Sequence, residues 1–302
     1  LDLFVLGGIP GIPIGLPHIG GADGAGVVDA VGGGVDSVDV GAEVVFDPGL
    51  SCGRCEYCLG GEQSLCVRFG VLGEHNDGTL AEAVVVAANS LAPRPSHLSW
   101  AESAAFGLTF LTSWRMLIHR GGLRPGETVL IHGIGGGVSL ACLQLAKLVG
   151  ARVIATSRSE SKLQRALELG ADETLIADDQ VARAVRGLTA KRGADVVVDS
   201  VGEATWMQSL KAAAKGGRIV TCGATSGPNP AEEIRLIFWN QLSIIGSTMG
   251  SRDDWRQLVS AVGTHGLRPV VDTEMLLAEG KTAYERLERA DQFGKIVLTI
   301  DG

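Results

Sequence analysis

Val129-Leu130-Ile131-His132-Gly133-Ile134-Gly135-Gly136-Gly137-Val138-Ser139 is the stretch that decides how the rest of this chain is read. A short apolar run enters a glycine turn, and the turn opens a helix. Such a turn aims backbone N–H groups at a phosphate pair from a helix N-terminus. The G-x-G-x-x-G spacing is imperfect, since counting from Gly133 puts Val138 at the last position, with Ser139 next. Alone, the run also fits a bland tight turn in a chain where 43 of 302 residues are glycine. Its placement between strand and helix makes it a candidate dinucleotide site, with Gly133, Gly135, Gly136, Gly137 and Val138 as contacts.

Working outward, strands and helices alternate. Strands are expected over 128–131, 152–155, 195–199, 218–221 and 242–245, with helices over 138–148, 162–169 and 205–214. Short, fully apolar strands alternating with helices predict an α/β fold with a doubly wound parallel sheet. Gly223, past the 218–221 strand, is counted with the cofactor contacts, as is Lys295. The closing Lys295-Ile296-Val297-Leu298-Thr299-Ile300 predicts one more strand, returned to the first domain rather than added to the sheet.

Upstream the texture differs. Val-rich segments at 26–31, 43–46 and 83–86, split by glycines, predict short strands of a barrel-like β domain. Ser99 with Glu102 three residues on is a capping box, and the apolar run to Ile118 fits helical spacing.

The strand over 152–155 ends in Thr156-Ser157-Arg158-Ser159-Glu160-Ser161-Lys162. A carboxylate here would bond the ribose 2′-OH of NAD. The strand end instead holds hydroxyls and cations. Ser157, Arg158 and Lys162 can pair with a 2′-phosphate, so NADP(H) is expected over NAD(H), with Glu160 a dissenting charge. The alternative is a solvated helix start.

Cys52-x2-Cys55-x2-Cys58-x7-Cys66 places four thiols within one short loop rich in glycine. Four thiolates can close a tetrahedral zinc site with no open position, which makes the metal structural. Two disulfides or unrelated thiols are the alternatives, disfavoured by so dense a cluster in a reducing compartment. Cys142 and Cys222 sit singly in apolar segments as buried thiols.

At about 150 residues per domain, the length suggests two domains. The formal net charge of −8 disfavours nonspecific binding to nucleic acid or anionic membranes. No apolar stretch reaches the ~18 residues of a membrane span, and the N-terminus lacks signal-peptide architecture, so a cytoplasmic protein is expected. The opening Leu1-Asp2-Leu3 reads as the middle of a longer chain.

Taken together, these motifs make the chain similar to the medium-chain dehydrogenase/reductase superfamily, the zinc-type alcohol dehydrogenase and quinone reductase group. The resemblance runs from Gly20-Gly21-Ala22-Asp23-Gly24 through the cysteine lobe and the glycine turn to Phe293-Gly294-Lys295. It implies a GroES-like β-barrel catalytic domain over 1–111 with its zinc lobe at 50–70. A Rossmann domain would follow over 112–265, and a return to the first domain over 266–302. Relatives usually carry a few dozen residues before the point matching Leu1.

The departures bear on chemistry. Relatives with a catalytic zinc hold it through a Cys, the His of a Gly-His-Glu motif and a later Cys. Ala22 stands at the His position and Leu108 at or near the later Cys, while the first lies before Leu1. Neither a methyl nor an isobutyl group coordinates zinc. Without a Lewis acid, conjugate reduction is the hydride chemistry easiest to support, and the zinc-lacking branches of the superfamily carry it out. The resemblance therefore implies an NADPH-dependent enzyme reducing an activated C=C or a quinone. Thr112 is its candidate proton or hydrogen-bond donor by match to the family's Thr, followed by Asp2 and His75. Thr112 could equally bond its own helix backbone, and the pair Glu74 and His75 could merely be hydrated. Two other readings stay open: an alcohol dehydrogenase, and a non-catalytic nucleotide binder. The apolar edge strand 242–247 predicts self-pairing across a twofold axis, in a homodimer or a tetramer of such dimers.

Overall fold

A computed structural model describes residues 1–8 and 14–300. The chain divides into two compact units, one of Leu1–Leu111 with Gly250–Gly302 and the other of Thr112–Met249.

The first stretch of the first unit begins with α1 (Asp2–Gly7) and is otherwise mostly short strands. These are β1 (Ala25–Val27), β2 (Glu43–Phe46), β3 (Gly49–Leu50), β4 (Gly70–Val71) and β5 (Leu91–Pro93). β1, β2 and β5 form an antiparallel sheet with Val45 opposite Ala25 and Ala92, and β3 pairs antiparallel with β4. Between β3 and β4 lies the cysteine loop with α2 (Glu56–Leu59). The strand expected over 83–86 is a correction: those residues pair with no strand, and Val85 is exposed. β-branched composition favours extended backbone, but a strand also needs a ladder partner.

The expected helix from Ser99 to Ile118 is interrupted. α3 (Trp100–Ala104) starts from the predicted capping box, in which Ser99 Oγ accepts the Glu102 N–H at 3.1 Å and Glu102 Oε2 accepts the Ser99 N–H at 2.8 Å. A new helix, α4 (Gly107–Trp114), then begins, and a π-helical turn follows over Arg115–Arg120. The restart has a tertiary cause: the carboxylate of Asp23 caps the new N-terminus by accepting the Leu108 N–H.

The second unit alternates strand and helix, with three elements beyond those expected, over 173–176, 181–188 and 234–240. Its elements in order are β6 (Thr128–Ile131), α5 (Gly137–Val149), β7 (Arg152–Ser157), α6 (Glu160–Glu168), β8 (Glu173–Ile176) and α7 (Val181–Leu188). They continue with β9 (Ala194–Val198), α8 (Trp206–Ala212), β10 (Ala213–Thr221), α9 (Ile234–Asn240) and β11 (Ser243–Gly246). The six strands lie parallel in the order β11-β10-β9-β6-β7-β8, the order of a Rossmann-type sheet. Every residue of β6 and β9 is buried. Leu130, Ile154, Val197 and Ile219 form one core with Val185, Trp206 and Leu210. Burying each such aliphatic side chain is worth about 1.5–3 kcal/mol. The chain order reverses between β6 and β9, and ligands of open α/β sheets bind past the strand ends at that point.

The second stretch of the first unit holds α10 (Arg252–His265), β12 (Val271–Leu276), α11 (Gly280–Glu288) and β13 (Lys295–Thr299). β13 pairs parallel with β12, so it lies outside the six-stranded sheet. By compactness, residues from Gly250 onward group with the first unit. Within this unit the side chain of Trp255 stacks on Phe106 with ring centroids 5.4 Å apart. Among the described residues no helix is long and apolar enough to cross a membrane.

Candidate functional site

The cysteine loop brings Cys52, Cys55, Cys58 and Cys66 together, their sulfurs all within 4.8 Å of one another. None of the four is in a disulfide. Short turns allow this convergence, because Gly53 and Gly61 adopt positive φ of 70° and 85° between the ligand positions. Backbone N–H groups point at the sulfurs: those of Cys52 and Arg68 approach Cys66 Sγ at 3.2 and 3.3 Å. The N–H groups of Arg54 and Cys55 pull the Cys52 thiol down to about 6, and that of Cys58 lowers Cys55. Burial pushes Cys58 up to about 11. Four soft donors at this spacing suit one tetrahedral zinc, with hydrogen bonds stabilising thiolate charge.

In the second unit, the glycine turn lies past the C-terminal end of β6. Its form depends on two backbone angles, φ +69° at Gly133 and φ +121° at Gly135. A Cβ at Gly135 would also stand 2.8 Å from Lys162 Cδ, so Lys162 lies directly against the turn. The Ile134 N–H donates to the Thr156 carbonyl at 2.7 Å, hanging the turn on the end of β7. Ser139 Oγ donates to the carbonyls of Gly133 and Gly136, both at 2.9 Å, which braces the start of α5. The Val138 carbonyl accepts Ser113 Oγ.

The chain around Ser157 closes the same corner. Ser157 is buried, and its Oγ accepts the Ser159 N–H. Ser159 Oγ in turn accepts the Lys162 N–H as the cap of α6. Arg158 is exposed, and no carboxylate among the described residues pairs with it. Gly223 follows β10, its carbonyl accepting Thr221 Oγ1. Gly133, Gly135, Gly136, Gly137, Val138, Ser157, Arg158, Lys162 and Gly223 thus lie at or just past the C-terminal ends of β6, β7 and β10. Lys295 lies on β13 in the first unit, its Nζ donating to Asp23 Oδ2 at 2.7 Å.

Of the catalytic candidates, Asp2 and His75 belong to the first unit and Thr112 to the second. Asp2 lies in α1, where its charge acts on Tyr284 and Lys295. His75 follows β4, its Nδ1 accepting the Val71 N–H at 3.2 Å, which leaves the ring proton on Nε2. Glu74 lies 3.9 Å from that Nδ1. No hydrogen bond or ion pair among the described residues joins Asp2 to His75. Thr112 is buried in the second unit, and its hydroxyl donates to Met249 Sδ at 3.5 Å.

Ala22 is buried, and the adjoining Asp23 bonds the Leu108 main chain, so the two positions at issue for a catalytic metal are near neighbours. Neither side chain carries a donor atom, and a catalytic zinc does not fit them.

Two residues passed over in the sequence belong to the strand-end cluster. Asp199, after β9, is fully buried and accepts the N–H groups of Val201 and Gly202 and the hydroxyls of Thr205 and Ser209. His132 is buried at the start of the glycine turn. Their signal was position alone: a polar residue directly after an apolar parallel strand.

Residues 2–96 match the alcohol dehydrogenase GroES-like domain family, and residues 137–264 match the zinc-binding dehydrogenase family. An alcohol dehydrogenase from Geobacillus stearothermophilus is 32% identical, covering 95% of this chain and 84% of its own. The acryloyl-coenzyme A reductase of Metallosphaera sedula is also 32% identical, over 94% of this chain and 83% of its own. The crystal structure of an NAD-dependent alcohol dehydrogenase superposes with a TM-score of 0.91 at 49% identity, covering 95% of this chain and 84% of that one.

Proposed function

The chain belongs to the medium-chain dehydrogenase/reductase superfamily, and from that membership we propose that it is an NADP(H)-dependent reductase of activated C=C bonds or quinones. One observation carries the proposal: Ala22 and Leu108 offer no ligand where relatives with a catalytic zinc hold it. When bound, the reduced nicotinamide supplies a hydride to an electron-poor carbon. The chain's own residues then need only hold the developing oxyanion and provide a proton, which N–H and O–H donors can do. The His75 Nε2–H and the Thr112 hydroxyl are the candidate donors, and Asp2 is the candidate acid.

The glycine turn and the N-terminus of α5 would take the pyrophosphate. Lys162, lying against Gly135, and the exposed Arg158 would take the 2′-phosphate. Cys52, Cys55, Cys58 and Cys66 would hold one zinc, whose role there is to shape the lobe. The relative named acryloyl-coenzyme A reductase supports the C=C reading. A second reading, an NAD(H)-dependent alcohol dehydrogenase, is favoured by the name of the 49% identical relative.

Steady-state turnover separates them. With NADPH, an enone, a quinone or an acrylyl thioester should be reduced, while simple alcohols with NADP+ or NAD+ should react far more slowly. Faster oxidation of alcohols, stimulated by added zinc, would overturn the proposal.

A further inference from the structure

His132 ends the run of β6 and directly precedes Gly133. It is 1% exposed. Its main-chain N–H donates to the Val198 carbonyl of β9 at 3.1 Å, and its Nδ1 lies 3.2 Å from Thr156 Oγ1 on β7. The other ring nitrogen is different: Nε2 is buried and has no hydrogen-bond partner among the described residues.

Burial pulls the imidazole below its ordinary pKa, against the opposing charge of Asp199, so the ring is neutral and carries one proton. Whichever nitrogen holds that proton, Nε2 is left as a donor or an acceptor with nothing opposite it. Asp199 does not supply the missing partner, since two backbone N–H groups and two hydroxyls already occupy its carboxylate. Native proteins seldom leave a buried polar atom unmatched, because its lost hydration is then uncompensated. Eight buried side-chain polar atoms among the described residues lack a partner, and Nε2 is the one on the residue that directly precedes the glycine turn, a position that points to a ligand held there. His132 also shares Thr156 with the turn, which hangs from that residue's carbonyl through Ile134.

We propose that Nε2 of His132 is a cofactor contact, satisfied in the bound state by an oxygen atom that arrives with the dinucleotide. The inference rests on the reading of the glycine turn as a dinucleotide site and adds a side chain to its backbone contacts.

Two isosteric variants separate the ring nitrogens. His132→Asn keeps a polar atom near Nδ1 and lacks one at Nε2. His132→Gln does the reverse. NADPH and NADH would be titrated by quenching of tryptophan fluorescence, and each apoprotein would be melted thermally. His132→Asn should leave the apoprotein melting temperature nearly unchanged and raise Kd about tenfold, the scale of one lost hydrogen bond. His132→Gln should lower the melting temperature yet stay within about threefold of the parent in Kd. An Asn variant that binds like the parent overturns the inference. So does an Asn variant that loses binding and stability together while Gln fares no better, because the ring then only props the turn. An unmodified chain that binds neither nucleotide removes the dinucleotide reading itself, and this contact with it.

Discussion

Lys295 and Asp23, far apart in the chain, form an ion pair of 2.7 Å inside the first unit. The same carboxylate accepts the Leu108 N–H, so one side chain joins β13, the loop before β1 and the start of α4. Burial opposes the Lys295 charge, but Asp23, aided by Asp2, raises its pKa and keeps it protonated. Breaking such a pair strands a charge. Lys295→Met should lower unfolding free energy by about 3 kcal/mol. Chemical denaturation would measure this, and Lys295→Met combined with Asp23→Leu should recover part of the loss. An unchanged midpoint in the single variant would remove the pair from the account of stability.

The cysteine loop should bind one zinc per chain. Elemental analysis should find a ratio near one, and Cys55→Ser should lower it and the melting temperature together, since metal binding there is folding energy. Two tightly held zincs per chain would contradict the reading of Ala22 and Leu108.

Arg158→Ala should weaken NADP(H) ten- to a hundredfold and leave NAD(H) nearly unchanged. Only the phosphorylated cofactor offers the guanidinium a dianion, and one charge-assisted contact is worth about 1.5–3 kcal/mol. Equal affinity of the unmodified protein for both nucleotides would defeat this expectation.

Asp47 gives a pH dependence with a definite sign. Burial lifts its carboxyl from 3.8 to about 7, against the Gly49 N–H and Arg252, with Asp254 adding to the rise. The native state therefore binds the extra proton between the unfolded and folded pKa values. Stability from this group is full below the unfolded value and is lost as pH rises through about 7. The loss is on the order of 4 kcal/mol at most. Asp47→Asn keeps an acceptor for the Gly49 N–H and cannot ionise, so its advantage over the parent should grow from acid to pH ~8. Denaturation at several pH values checks this, and a constant difference would count against it.

β11 is an edge of the six-stranded sheet, and among the described residues β10 is the strand it pairs with. Ile244 on that strand and Phe238 and Trp239 on α9 are exposed. Pairing of this strand with a second copy would satisfy its unpaired N–H and C=O groups. Sedimentation should give a dimer or tetramer, and Ile244→Pro should dissociate it. A mass of 31.3 kDa at micromolar concentration would refute the expectation.

The amino-acid sequence by itself determined most of the second unit's sheet, though not β8, α7 or α9. An apolar parallel strand is buried on both faces, so its pattern is local and strong, and β6, β7, β9 and β10 follow from their Val- and Ile-rich runs. It determined the capping box at Ser99 and the cysteine convergence for the same reason: each is written within a few residues. Tertiary structure decided the rest. The segment 83–86 has a strand's composition, but no partner strand reaches it. The helix after Ser99 breaks because Asp23, eighty-five residues before Leu108, caps a second start. Trp255 stacks on Phe106, a contact within the first unit. The pairing of Asp23 with Lys295 and the unmatched nitrogen of His132 are likewise three-dimensional facts. Hydrogen-bond partners and burial depend on which distant segments meet, and no local pattern of side chains encodes that meeting.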